Sequence, residues 1–189
     1  MEDKIDKYIL TGGPGSGKSS ILLALEQRGE AIIREAAEDV IKLEQSRGNK
    51  EPWLDIKYLQ NKILALQLKR EALADKIAKN DRVFIDRGVI DGLAYCQIQD
   101  KIMTLYMRDT IDDYKIIPFE KPKSHQYTKI FLIENLGRCD KTDVRREELG
   151  EALKLEGLQE ENYKRLGYEV VRIAPNPLEL RVDYVLNSI

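Results

Sequence analysis

Residues 12–19 read Gly-Gly-Pro-Gly-Ser-Gly-Lys-Ser, and no other stretch of the chain restricts its fold so tightly. The run fills every fixed position of G-x-x-x-x-G-K-[ST]. Before it, Tyr8-Ile9-Leu10 is a short apolar segment that reads as a strand. After it, Ile21, Leu22 and Leu25 recur at helical spacing until Gly29 ends the helix. In a strand–loop–helix context the glycines Gly12, Gly13, Gly15 and Gly17, with Pro14 and Ser16 between them, let the backbone turn its N–H groups around an anion. The helix beginning at Lys18 adds the positive end of its dipole. Lys18 is expected to reach the β- and γ-phosphates of ATP, with GTP as the alternative nucleotide, and the Ser19 hydroxyl to ligate Mg²⁺. With Ser20 beside it, Gly12–Ser19 is the expected nucleotide-binding set.

The remaining apolar runs fall in a regular order. Ala31-Ile32-Ile33, Val83-Phe84-Ile85, Ile130–Ile133 and Glu169–Ile173 read as further strands. Helices are expected over about 35–47, from Pro52 until Asn80-Asp81 ends it, from Val89 to about Thr110, over about 144–166 and over about 178–188. The long helix from Pro52 shows a stripe of Ile56, Leu59, Ile63, Leu66, Leu73 and Ile77. Residues 112–127, with Pro118 and Pro122, read as an irregular excursion. Short apolar strands alternating with helices imply a parallel sheet covered on both faces, an α/β fold. A length of 189 residues suits one domain spanning 1–189.

Composition narrows the function classes. The 31 basic and 33 acidic side chains give a net charge of -2, not the basic excess of a nucleic-acid binder. Cys96 and Cys139 form no C-x-x-C pair and read as free thiols in a reducing compartment. The charged N-terminus is no signal peptide, and no apolar run approaches the about 20 residues of a transmembrane helix. A cytoplasmic location is expected. The lone His125 has no visible partner and receives no role.

Other residues gather chemistry around the loop. Val83–Gly88 is a strand ending in Asp86-Arg87, and ligands of parallel sheets sit at the carboxyl ends of strands. Asp86 there suits Mg²⁺, and Arg87 suits charge on a transferring or accepting group; the other reading of Asp86 is a cap for the next helix. Asp91 reads equally as part of this site or as a polar helix-face residue. Glu35, at the end of the second strand, reads either as a base for an acceptor hydroxyl or as a first-turn helix acid. Gln60 and Gln67 lie two turns apart on the long helix; solvation is the leading reading, and hydrogen bonding to an acceptor base the other. Residues 135–146, with Arg138, Arg145 and Arg146, read as a lid over the triphosphate or as a solvated loop.

The ordered set Gly12–Ser19, Arg34-Glu35, Asp86-Arg87-Gly88 with Asp91 and Tyr95, Asp143-Val144-Arg145 and Tyr163–Val171 resembles the small AAA-domain family of P-loop kinase-like proteins. That family includes the ribosylnicotinamide kinase domain and is similar, more distantly, to thymidylate and deoxynucleoside kinases. The resemblance covers nearly the whole chain, most weakly residues 100–127. It implies a P-loop three-layer sandwich with a five-stranded parallel sheet in the order 2-3-1-4-5 and a lid after the fourth strand. It also implies ATP with Mg²⁺ at Lys18, Ser19 and Asp86, Glu35 and Arg87 near the acceptor, and Arg145 in the lid. Some eukaryotic relatives look like GTP binders with lipid partners.

The expected function is therefore a kinase transferring the γ-phosphate of ATP to a small nucleoside- or nucleotide-like acceptor. The alternative is a regulatory ATP- or GTP-binding switch, or slow NTPase, with protein or lipid partners. Asp140-Lys141-Thr142-Asp143 misses the first position of a guanine-reading Asn-Lys-x-Asp. A remodelling ATPase normally needs a longer chain with a helical lid domain. The sequence leaves the acceptor and the oligomeric state open.

Overall fold

A computed structural model describes residues 5–98, 127–138 and 147–189. Among them, β1 (Asp6–Thr11), β2 (Ile32–Ile33), β3 (Arg82–Asp86), β4 (Lys129–Ile133) and β5 (Val170–Ile173) form one sheet in the order β2-β3-β1-β4-β5. Every pairing is parallel, as the resemblance implies. The register sets Leu10 beside Asp86, so the strand that launches the phosphate loop and the strand that carries the acidic residue end level.

Alternation along the strands builds two cores, because successive side chains point to opposite faces. Tyr8, Leu10, Phe84, Phe131 and Ile133 pack on one face against Ile21 and Leu25 of α1 (Lys18–Gln27). They also meet Val182 and Val185 of the last helix, α7 (Leu178–Asn187). Tyr8 stacks on Phe84 at 5.4 Å. Ile9, Val83, Ile85 and Ile130 face the other way, toward Tyr127, Tyr168 and Tyr163 of α6 (Leu149–Arg165). All-parallel strands covered on both sides carry continuous apolar runs, as Tyr8–Leu10, Val83–Ile85 and Ile130–Ile133 do in β1, β3 and β4.

Three more helices line the carboxyl end of the sheet. They are α2 (Ala37–Ser46), α3 (Ile56–Glu71) and α5 (Asp91–Ile98), with a short α4 (Ala74–Ile77) after α3. The helix expected from Pro52 to Asn80-Asp81 is thus three pieces. Pro52–Leu54 forms a 3-10 turn, and Asp55 then starts α3 afresh by accepting from the Tyr58 N–H at 3.0 Å.

The expected apolar stripe is also shifted. The buried line of α3 runs through Ile56, Leu59, Gln60, Leu64, Gln67 and Glu71, while Leu73 is 47% and Ile77 39% exposed. Polar residues take seam positions because hydrogen-bond partners wait for them beneath the helix, described below. Solvation of Gln60 and Gln67 is overturned, since both are buried.

The expected segment after Ile98, most of the 112–127 excursion and the 139–146 part of the lid, including Arg145, lie outside the described residues. No helix among the described residues is long and apolar enough to cross a membrane.

Candidate functional site

The loop between β1 and α1 is held open by backbone and braced from below. Gly12, Gly15 and Gly17 have positive φ values of 135°, 81° and 83°, a region that favours glycine. A Cβ on Gly12 would be driven into the Ile133 carbonyl, and one on Gly13 into that of Ala152. Two side chains clasp the loop from other elements. Asn135, just after β4, donates through Nδ2 to the Pro14 carbonyl at 2.8 Å. Its own Oδ1 accepts from the N–H groups of Gly137 and Arg138. Arg181 of α7 donates to the Ser16 carbonyl at 2.8 Å. The motif gives no sign of either clasp, because both come from distant positions with no spacing rule.

Lys18 is buried and folds back into the loop. Its Nζ donates to the carbonyl oxygens of Gly12 and Gly13 at 2.7 and 2.9 Å and to the Ser16 hydroxyl at 3.1 Å. Burial, with the Arg87 charge adding to it, lowers its pKa to about 8 against the opposing pull of Asp86, Glu35 and Asp91. An ammonium held on carbonyls in this way is pre-aimed at an anion that would replace them.

Ser19 faces the cleft, and its hydroxyl donates to Asp86 Oδ2 at 3.2 Å. Burial, helped by Glu35, raises Asp86 to about 6 while Lys18 and Arg87 work against it. The other carboxylate oxygen, Asp86 Oδ1, is buried with no hydrogen-bond partner. An orphaned carboxylate oxygen beside an accessible hydroxyl fits Mg²⁺, which takes one or two protein oxygens and completes its shell with phosphate and water. No cluster of three or more His, Cys, Asp or Glu that could hold a metal occurs among the described residues.

Beyond Asp86 the backbone turns sharply. Arg87 adopts a left-handed φ of 61°, uncommon for a residue with a side chain. Its N–H donates to the Leu10 carbonyl, and its carbonyl accepts from Gln67 Nε2 at 2.8 Å. Gly88 follows where a Cβ would meet the hydroxyls of Tyr163 and Tyr127 at 2.7 and 2.8 Å. The turn is locked by buried side chains. Asp91 accepts from Thr11 of β1, from the Gly88 N–H and from Tyr163. Glu71 accepts from Gln67 and from Tyr127, whose hydroxyl also takes the Val89 N–H. Asp91 is thus a site-building residue rather than a solvated helix face. Burial pushes Glu71 up to about 7.

The product of this locking is the posture of the Arg87 guanidinium. Its Nε lies 2.9 Å from Glu35 Oε1, and its Cζ sits 5.7 Å from the centre of the Tyr95 ring. The pair is close, yet neither Nε nor Nη1 has a well-aligned acceptor. Both nitrogens are buried, and Arg87 borders the cleft with its charge set against Glu35. That cleft holds about 610 Å³. Its lining includes Lys18 and Ser19 of the loop and α1, then Glu35, Gln60, Arg87 and Tyr95 from the surrounding elements, with apolar Trp53, Leu59 and Leu64. The described residues thus bring together Lys18, Ser19, Glu35, Asp86 and Arg87. Ser20 also lines the cleft, and Arg138 lines it from the lid segment.

A family model described as an AAA domain matches residues 7–181. Among solved structures, deoxyadenosine kinase from M. mycoides with bound dATP superposes with a TM-score of 0.70, covering 97% of this chain and 98% of its own at 14% identity. The same kinase with dCMP and a flexible dCDP gives 0.65 at 18% identity, covering 96% and 97%. The NadR protein in complex with NAD and AMP-PNP gives 0.67 at 14% identity over 97% of this chain. It is covered over only 49% of its own length, so the chain spans about half of NadR. No curated protein matches in sequence. Identities this low speak to fold, and the fold they share is the P-loop arrangement read from residues 12–19 and the sheet order. With the family model matching almost end to end, the chain belongs to the AAA domain family.

Proposed function

We propose that the protein is a small-molecule kinase that transfers the terminal phosphoryl group of ATP to a nucleoside- or nucleotide-like acceptor. One observation carries the reading: a phosphate loop and a Glu35–Arg87 ion pair, its nitrogen and oxygen 2.9 Å apart, line a single cleft together with apolar side chains. A switch or simple NTPase needs the first half of that cleft and has no use for the second. The nucleotide-bound kinase structures of the same fold support the choice.

The loop would take the β- and γ-phosphates, and Lys18 would move from the carbonyls of Gly12 and Gly13 onto them. Ser19 and Asp86 would hold Mg²⁺, which when bound neutralises charge on the phosphate oxygens. Arg87 would fix the acceptor oxygen in line with the γ-phosphorus. Glu35, beside it, would take the proton of an acceptor hydroxyl. Flat apolar walls from the 3-10 turn and α3 suit a planar base, and buried Gln60 suits its polar edge. Gln67 is committed to the Arg87 carbonyl and Glu71 and so serves the site through Arg87. Positioning and charge stabilisation carry most such chemistry. Arg145 would belong to the lid that closes over the nucleotide.

The test is ADP formation from Mg²⁺·ATP, with and without a panel of nucleosides, nucleotides and vitamin-like ribosides, beside Lys18→Ala. Acceptor-dependent ADP that disappears in the variant supports a kinase and identifies its acceptor. Tight ATP or GTP binding that no acceptor stimulates moves the assignment to a regulatory switch with protein or lipid partners.

A further inference from the structure

Arg181 is a buried cation with no counter-ion. It is 3% exposed and lies in the first turn of α7, where a positive charge opposes the helix dipole. Nη1 donates to the Ser16 carbonyl at 2.8 Å, and Nε has no acceptor. Nη2 lies so close beneath the loop that a Cβ on Gly17 would come within 2.6 Å of it. No carboxylate pairs with Arg181 among the described residues, and burial alone acts on the guanidinium, lowering its pKa. Other arginines drawn into the structure have carboxylates: Arg82 meets Glu30 at 2.5 Å, and Arg87 meets Glu35 at 2.9 Å.

Arginine keeps its proton in proteins. The chain therefore maintains a permanent, desolvated positive charge directly behind the phosphate loop, an arrangement that is unfavourable unless something compensates it. The position of the hydrogen bond indicates what does. Ser16 contributes the carbonyl half of the Ser16–Gly17 peptide, and the other half is a loop N–H. A charged donor on that carbonyl polarises the peptide and makes its N–H a stronger donor to an anion.

We propose that Arg181 is a positioning residue for nucleotide phosphate, acting through the Ser16–Gly17 peptide, and that the phosphates of the bound nucleotide supply its missing counter-charge. The inference rests on the nucleotide-binding reading above and adds a residue outside the loop motif to it.

The test compares the full chain with Arg181→Lys, Arg181→Gln and Arg181→Met. Binding of ATP, ADP, AMP and adenosine is measured by titration calorimetry, and thermal unfolding is followed without nucleotide. Loss of the charge in the Gln and Met variants weakens ATP binding about tenfold or more, the scale of one charged hydrogen bond. ADP weakens less and adenosine not at all, while the Lys variant keeps most of the affinity. Without nucleotide, the Met variant melts at or above the unsubstituted chain, because an uncompensated buried charge has been removed. A structural brace gives the opposite pattern. Wild-type ATP affinity in the Gln variant, a lowered melting temperature in the Met variant with affinity unchanged, or an equal loss for adenosine each overturns the proposal. Failure of the unsubstituted chain to bind ATP or ADP is a separate result, read before any substitution, and it removes the nucleotide reading together with this one.

Discussion

The two ends of the cleft are built from different materials. At the phosphate end the contact surface is backbone: glycines at positive φ, carbonyls that park Lys18, and a helix N-terminus. At the acceptor end it is side chain. Arg87 is held by a turn that Gln67, Glu71, Asp91, Tyr127 and Tyr163 secure from four different segments. Backbone geometry tolerates changes of side chain but no added atom at a glycine. A side-chain network tolerates a small added volume but no lost partner.

The largest expected effect tests the backbone half. Gly13→Ala should destabilise the fold by several kcal/mol, because the new Cβ is driven into the Ala152 carbonyl, a backbone atom that cannot yield cheaply. Gly29→Ala, at a positive φ of 92° but with open space around it, isolates the conformational part and should cost about 1 kcal/mol. Equal melting temperatures for the two variants would break the contrast.

Next in size is Arg87, the arginine proposed to meet the acceptor. Arg87→Lys keeps the charge but loses the fork, and should lower kcat/KM for the acceptor by about a hundredfold while ATP affinity stays within about twofold. Steady-state kinetics with each substrate varied would show it. A matching fall in ATP affinity would mean that the two ends are not separable.

A smaller effect concerns Glu71. Its folded pKa, about 7, is raised above the ordinary value of 4.5 by burial, so its contribution to stability is fully present below about pH 4.5 and lost as pH rises through about 7. The full loss is roughly 3 kcal/mol. Glu71→Gln should flatten the stability profile between those limits, as denaturant melts at a series of pH values would record. An unchanged profile would place the titration elsewhere, on Asp86 or Asp91, whose pKa values burial also raises.

The smallest effect belongs to Lys18 itself. With a pKa of about 8 in the free protein, and a higher one once phosphate replaces the carbonyls, nucleotide binding should take up a proton above pH 8. Affinity for ATP should fall by up to tenfold per pH unit there, and calorimetry in buffers of different ionisation heat would detect the proton.

The uneven legibility of the sequence follows from the same contrast. The phosphate loop lies within eight consecutive residues, so a linear pattern captures it, and the apolar strands place the sheet around it. Asp86 and Arg87 were visible because they end such a strand. Gln67 and Glu71 were not, because a polar residue in a helix reads as solvated until the groups beneath it are known, and those groups are the Arg87 carbonyl just after β3 and the Tyr127 hydroxyl. The misplaced stripe on α3 has this single cause: the eye follows Leu66 and Leu73, while the packing follows Gln67 and Glu71. Asn135 and Arg181 escaped notice for a related reason, since each meets the loop across more than a hundred residues of chain.

The hydrogen bond from Gln67 to the Arg87 carbonyl ties a wall of the acceptor chamber to the strand that ends at the phosphates. Under the proposed function, a helix swinging outward to admit an acceptor would pull on the peptide that sets the arginine's direction, and through the adjoining N–H on Leu10 at the mouth of the phosphate loop. Filling one chamber would then register as tension in the other.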